Sequence, residues 1–116
     1  MADMVFSGVT FTGGYSISLP SLPKAIFGYG RNIVGSYFNV TNLVSDTGVV
    51  ATDTTGVGTA RNSLAAAGYG VDKAIFGYGS GQSITNLVSN TGVVATDTTG
   101  VGTARSGLAA ASYGLA

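Results

Sequence analysis

The sequence predicts an all-β protein that is built from two copies of one four-stranded unit. The segment Lys-Ala-Ile-Phe-Gly-Tyr-Gly occurs at 24–30 and again at 73–79, and the segment at 41–70 returns at 85–114 with four differences. The repeat as a whole is rich in Thr, Val and Gly and contains no Glu, which disfavours helices and suits short strands joined by tight turns. Because 45% of the residues are hydrophobic, we expect a packed fold rather than a flexible linker.

The first part of the chain, residues 1–23, lies outside the repeat. Apolar and polar residues alternate over 5–14, which predicts one strand, and 15–19 is predicted to form a second. Pro20 and Pro23 then bound a stiff linker. We therefore predict an N-terminal arm that is separate from the repeats.

The first repeat occupies 24–72 and the second repeat 73–116. Each divides into four predicted strands, which in the second copy are 73–78, 83–89, 93–98 and 107–113. Polar, Gly-containing turns follow the second and third of these strands, at 90–92 and 99–100.

The two copies are offset by 44 to 49 residues, a period typical of β-propeller blades and of some helical repeats. The composition favours blades. A helix is the alternative for the fourth strand, whose centre is helix-favouring, namely Leu108, Ala109, Ala110 and Ala111. We predict a strand because Gly107 and Gly114 bound the segment, and because small side chains allow the close approach that an innermost blade strand needs.

The motifs of the repeat resemble those of kelch-type β-propeller blades. The order is Ala-Arg-x-x-Leu-Ala-Ala-Ala-x-Tyr-Gly, then Lys-Ala-Ile-Phe-Gly-Tyr-Gly, a variable loop, and Thr-Asn-Leu-Val-Ser. In that family an Arg precedes the inner strand and the second strand leads into a pair of glycines. Here Tyr78 separates Gly77 from Gly79, and no Trp is present. The resemblance implies a kelch-like propeller with two blades per chain.

Two blades cannot close a ring, so the predicted fold needs partners. Met1 leads us to expect a complete chain whose ring is closed by further copies of itself. Propellers have about four to eight blades, which allows a dimer, a trimer or a tetramer, and we favour the trimer with six blades.

The order of strands along the chain predicts how the copies join. The first repeat begins at Lys24 on a second blade strand, whereas the chain ends just after an inner strand. Strand 64–69 then pairs with the segment from Lys73 in the same chain. The C-terminal strand containing 108–111 is predicted to pair with the segment from Lys24 of a neighbouring copy, which removes a free sheet edge.

Composition excludes several kinds of function. The formal net charge is 0, with five Lys and Arg against five Asp, and there is no His or Cys. The usual zinc ligands, Cys or His nucleophiles and disulfides are therefore absent, and we predict no enzyme, cofactor or metal. No basic cluster points to nucleic acid, and no apolar stretch approaches the roughly 20 residues of a membrane span.

Asp53, Arg61 and their copies Asp97 and Arg105 lie at the ends of a Thr-Thr-Gly-Val-Gly-Thr-Ala connection. One interpretation is a site for an anionic or sugar ligand. We predict instead that these residues brace the connection between blades, as an ion pair or through backbone hydrogen bonds. A glycosidase pair is excluded, because equivalent blade positions have similar environments and that chemistry needs carboxyls with separated pKa values.

A sugar-stacking site is the second candidate. Its residues lie at or near the Gly-Tyr-Gly turns, namely Tyr29, Arg31, Tyr78 and Gln82. The alternative for the tyrosines is ordinary packing at a blade turn.

The tandem strings behind the Val-Thr-Phe-x-Gly-Gly opening resemble repeat-bearing virion proteins of tailed phages of aquatic bacteria. This resemblance implies a non-enzymatic structural protein of the virion surface, in capsid decoration or in the tail and its fibres. We predict that residues 1–23 attach it to other virion proteins, the alternative being a strand that caps its own propeller. The competing function is a stand-alone lectin that binds a host-surface glycan.

Overall fold

The computed structural model describes residues 22–114, together with 5–6, 9–10 and 13. All the regular structure in these residues is β, arranged as seven strands in three antiparallel sheets, and the predicted all-β class is confirmed. The described residues include no helix long and apolar enough to cross a membrane.

The N-terminal segment contains two very short strands. β1 (Val5–Phe6) pairs antiparallel with β2 (Val9–Thr10), and among the described strands these two contact only each other. The prediction of one continuous strand over 5–14 is therefore wrong. The sequence between β1 and β2 contains Gly8, a residue that weakens strand interiors. The strand predicted at 15–19 lies outside the described residues.

The first sheet consists of β3 (Ala25–Arg31) and β4 (Tyr37–Val44), which form an antiparallel hairpin with a bulge between Gly28 and Gly30. The segment 50–54 continues this meander on the far side of β4. It is joined to β4 by two isolated bridges, Val44 with Val50 and Thr41 with Thr54.

The second sheet is the three-stranded meander β5 (Ala65–Tyr69), β6 (Lys73–Gly77) and β7 (Thr85–Val88). The predicted strands 73–78 and 83–89 are confirmed, with shorter bounds. The pairing of β5 with β6, from Ala65 opposite Gly77 to Tyr69 opposite Lys73, was also predicted and is confirmed.

The predicted strand 93–98 is only partly regular. It meets β7 through two isolated bridges, Val88 with Val94 and Thr85 with Thr98. Between them the carbonyl of Ala95 accepts a hydrogen bond from the Asn86 side chain at 3.2 Å, which interrupts the backbone ladder. The turn before it is as predicted, since Gly92 N donates to Ser89 O at 3.0 Å and Gly92 has a φ of +82°.

The C-terminal copy of β5 has no strand partner in the described part of the chain. Residues 108–113 are neither helix nor strand, so the strand predicted at 107–113 is not formed within this chain, where no described strand pairs with it. One hydrogen bond joins this segment to β5, in which Ser112 Oγ donates to Gly68 O at 2.5 Å.

The two larger sheets pack against each other across one apolar interface. Phe76, Val88 and Val94 of the second sheet are buried. The residues that cover this cluster from the first repeat are Ile26, Tyr29, Val57 and Leu64. The close approach requires a glycine, because a Cβ at Gly28 would lie 2.9 Å from the Phe76 ring.

Candidate functional site

A buried arginine marks the crossing from the first repeat to the second. Arg61 is completely buried, and its Nε donates to Tyr78 O at 2.7 Å. Nη1 donates to Thr59 O at 3.0 Å and Nη2 to Asn86 Oδ1 at 2.7 Å. The guanidinium carbon lies 4.7 Å from the centre of the Tyr29 ring. These contacts offset the large desolvation cost of a buried charge.

Asn86 on β7 joins this arginine to a carboxylate. Its side chain is also completely buried, and its Nδ2 donates to Asp97 Oδ1 at 2.8 Å while its oxygen faces Arg61. Asp97 also accepts from Thr59, at 3.1 Å from the backbone N and 2.6 Å from Oγ1. We call Thr59 and Arg61 of the first repeat, with Asn86 and Asp97 of the second, the polar clamp.

The clamp is held by hydrogen bonds rather than by a direct ion pair. The one ion pair among the described residues is Lys73 with Asp72, at 3.3 Å on the surface. Partial burial raises the pKa of Asp97, but hydrogen bonds from Thr59 and Asn86 outweigh this effect and hold that pKa below its ordinary value. Burial raises the pKa of Tyr29, whose hydroxyl donates to Val57 O at 2.9 Å.

Tyr29 has the same unusual backbone conformation as its copy Tyr78. Their φ angles are +65° and +64°, in the left-handed region that few residues with a side chain adopt. This geometry places each ring against the arginine of its own repeat, since Arg105 lies 4.6 Å from the centre of the Tyr78 ring. Backbone strain of this kind persists only where surrounding contacts fix it.

Each repeat also contains a copy of the half that the other repeat contributes to the clamp. Among the described residues, neither of these copies meets its complementary half. In the second repeat, Arg105 Nη1 donates to Thr103 O at 3.0 Å, as Arg61 does to Thr59, yet Arg105 is exposed. In the first repeat, Asn42 Nδ2 donates to Asp53 Oδ1 at 2.8 Å, as Asn86 does to Asp97. We call Thr103 and Arg105 the donor half, and Asn42 and Asp53 the acceptor half.

The structure therefore connects the predicted bracing residues across repeats. Arg61 and Asp97 belong to one cluster, whereas Asp53 and Arg105 each lie in a separate half. Sequence analysis missed Thr59 and Asn86, because a lone Thr or Asn is not distinctive and the whole 30-residue segment around them is repeated.

The residues predicted for sugar stacking do not form one surface with a common role. The Tyr29 ring contacts Arg61 and lies 5.2 Å from the Phe76 ring, and Tyr78 OH donates to Val101 O at 2.9 Å. Arg31 is exposed at the end of β3, and Gln82 N donates to Gly79 O in a turn. Sugar binding by these residues stays a prediction.

A shallow cleft between the sheets offers no titratable group. Its lining is composed of Thr, Val, Leu and Gly, namely Thr41, Leu43, Thr54, Thr55, Val57, Thr91, Gly92, Val93 and Val94. Among the described residues, no three His, Cys, Asp or Glu lie together as a metal site. The geometry of the clamp is suited to holding one repeat on the next.

No protein-family model, curated protein or solved structure was found that matches the chain.

Proposed function

We propose that this chain is a non-enzymatic structural protein that assembles with copies of itself into a closed kelch-like β-propeller. The observation that carries the proposal is a complementary pair of unpaired segments. The edge of β3 that does not face β4 has no strand beside it among the described residues, and residues 108–113 have no strand partner there. Such an edge is a template for another strand.

The internal pairing of β5 with β6 supplies the register for this association. Residues 109–113 are Ala-Ala-Ala-Ser-Tyr where β5 is Ala-Ala-Ala-Gly-Tyr, and residues 24–28 are identical to β6. The equivalent pairing between copies places Ala109 opposite Gly28 and Tyr113 opposite Lys24 of the next copy. The Gly68 to Ser112 difference adds only a short polar side chain.

Exposed apolar side chains support the same arrangement. Phe27 is 63% exposed whereas its copy Phe76 is 4% exposed, and Val50 is 54% exposed whereas Val94 is 9% exposed. In the second repeat, Val101 is 78% exposed although its copy Val57 in the first repeat packs on the core. The first repeat thus exposes one side of the interface that joins the two repeats within the chain, and the second repeat exposes the other side. Association of two copies buries both sides.

We further propose that the ring contains three chains and six blades, and that it belongs to the surface of a phage virion. Two repeats per chain and the usual range of about four to eight blades support the first statement. The resemblance of the tandem repeats to virion proteins of tailed phages supports the second. Residues 1–23 are the proposed attachment to other virion proteins.

The mass of the chain in solution tests the assembly. Light scattering after size exclusion, together with native mass spectrometry, is expected to give three times the mass of one chain at micromolar concentration. A stable monomer would overturn the proposal. A closed dimer or tetramer would retain the self-assembled ring and correct the number of blades.

A further inference from the structure

We propose that the donor half of one copy and the acceptor half of the next form a second polar clamp, which fixes the head-to-tail register of the assembly. This inference rests on the proposed self-assembly and names the side chains that make it specific. The partner is another copy of this chain, recognised by Thr103 and Arg105 on one side and by Asn42 and Asp53 on the other.

The two halves are already arranged as in the internal clamp. Within its repeat Arg105 makes the same bond to a threonine carbonyl as Arg61, at 3.0 Å in both cases, and stacks on the equivalent tyrosine. Asn42 makes the same two bonds as Asn86, to an alanine carbonyl at 3.2 Å and to a carboxylate at 2.8 Å. Neither half needs to rearrange in order to bind, which lowers the cost of association.

The contacts missing at Arg105 are those that a neighbour would supply. Arg61 uses its Nε and Nη2 on groups of the following repeat, the Tyr78 carbonyl and the Asn86 side chain. The equivalent groups of the next copy are the Tyr29 carbonyl and the Asn42 side chain. Asp53 of that copy would accept from Thr103, as Asp97 accepts from Thr59.

This clamp imposes direction, because its two halves differ and belong to different repeats of the chain. A symmetric dimer that placed donor half on donor half would bring two arginines together. A head-to-tail interface instead pairs each arginine with an asparagine and a carboxylate, and it leads to a ring when the rotation closes.

Two single-residue variants test the clamp separately from the strand. Arg105→Ala removes the donor half, and Asn42→Ala removes the acceptor half, with Asp53→Ala as a second acceptor variant. Each truncation leaves the groups opposite unpaired in the interface, and we expect the dissociation constant to rise about 30-fold or more. Asp72→Ala, which removes an exposed charge outside the clamp, is the matched control and is expected to assemble like the unaltered chain.

Mixing the two variants tests the clamp more directly than measuring each variant alone. The chains are mixed at about ten times the dissociation constant of one unaltered interface. Each variant alone should then be mainly monomeric, because both interfaces that it can form contain a defective half. In a mixture of Arg105→Ala and Asn42→Ala chains, the intact donor half of the second meets the intact acceptor half of the first. Native mass spectrometry with one isotopically labelled variant should then detect a one-to-one heterodimer.

The outcomes separate the two proposals. Assembly of Arg105→Ala and Asp53→Ala chains with unaltered affinity would overturn the clamp and leave strand donation standing. Equal amounts of mixed and unmixed dimers would also overturn the clamp, because they indicate a symmetric contact. A monomeric unaltered chain would overturn the proposed function and the clamp together.

Discussion

Arg61 and Arg105 follow the same segment, Thr-Thr-Gly-Val-Gly-Thr-Ala, and make the same contacts within their own repeats, but only Arg61 is buried. The difference comes from the neighbour, since the second repeat supplies Asn86 and the Tyr78 carbonyl to Arg61. A guanidinium without these acceptors stays in water, because desolvating an unpaired charge costs several kcal/mol. At the residue scale, Arg61 thus shows the arginine with its neighbouring repeat in place, and Arg105 shows the same arginine without one.

Gly28 provides a test of the internal interface. An added Cβ would lie 2.9 Å from both the Phe76 ring and the Thr41 methyl group, whereas at the equivalent Gly77 it would meet only Thr85, at 3.2 Å. We expect Gly28→Ala to lower the free energy of unfolding by about 1–3 kcal/mol, the usual cost of overpacking. Urea denaturation followed by circular dichroism measures this change.

Gly77→Ala is the matched variant, and its effect should be on assembly. In the proposed ring, Gly77 packs on Phe27 of a neighbour as Gly28 packs on Phe76. We expect a small loss of stability in the monomeric chain and a clear rise in the dissociation constant of the ring. If both variants destabilise the monomer equally, contact with Phe76 is not the reason that Gly28 is required.

The carboxyl of Asp97 should make stability depend on acid pH. Its pKa is lower in the folded chain than the ordinary 3.8, so its contribution is present above that value and is lost as pH falls through the folded pKa. We expect the free energy of unfolding to fall below about pH 4, and to fall less in Asp97→Asn. Urea titrations at several pH values measure the slope.

Two comparisons isolate this effect. Asp46→Asn is the control substitution, because it changes an exposed carboxyl to the residue that the second repeat has at the equivalent position. Hydrogen bonds from Asn90 and Lys73 also lower the pKa of Asp72, but this group is on the surface and added salt should weaken its share. An identical slope in Asp97→Asn would contradict the role of the clamp carboxyl.

At the scale of elements, sequence reasoning succeeded where local pattern and tertiary packing agree. An apolar run closed by Gly-Tyr-Gly located β6, and the apolar residues of 83–89 located β7. The Asn-Thr-Gly segment located the turn after β7. Sequence reasoning predicted a regular strand at 93–98, which the Asn86 side chain interrupts by bonding to a backbone carbonyl. A side-chain contact of this kind is not encoded in hydrophobic periodicity, and neither was the clamp.

The C-terminal segment is predicted to join one copy of the chain to the next. Deleting 107–116 should abolish assembly, because it removes the strand that β3 lacks. The remaining chain should stay folded, since β5, β6 and β7 keep all their pairings. Light scattering measures assembly, and circular dichroism measures folding.

Deletion of residues 2–12 is the control for that experiment. It removes a segment of similar length whose strands contact only each other among the described strands, and the oligomer should persist. A C-terminally truncated chain that still has the full oligomer mass would contradict the proposed order of strands.

At the scale of the whole molecule, the repeated region and the N-terminal arm form separate structures. The repeat residues described above build sheets, the interface between them and the clamp, whereas β1 and β2 pair with each other and contact no other described strand. The proposed role of the arm is to bind other virion proteins. Strand addition would supply main-chain hydrogen bonds to a virion protein, and several arms on one ring raise the effective affinity without new contacts.

Removing residues 2–19 should therefore leave a ring that no longer joins virions. The truncated chain is expected to keep its oligomer mass and nearly all of its circular dichroism, because the two larger sheets, the core, the internal clamp and its two unpaired halves lie after residue 23. Tagged full-length and truncated chains supplied during phage assembly can be compared by their abundance in purified particles. Undiminished incorporation of the truncated ring would exclude the arm as the attachment, and glycan binding by the isolated ring would then favour a free lectin.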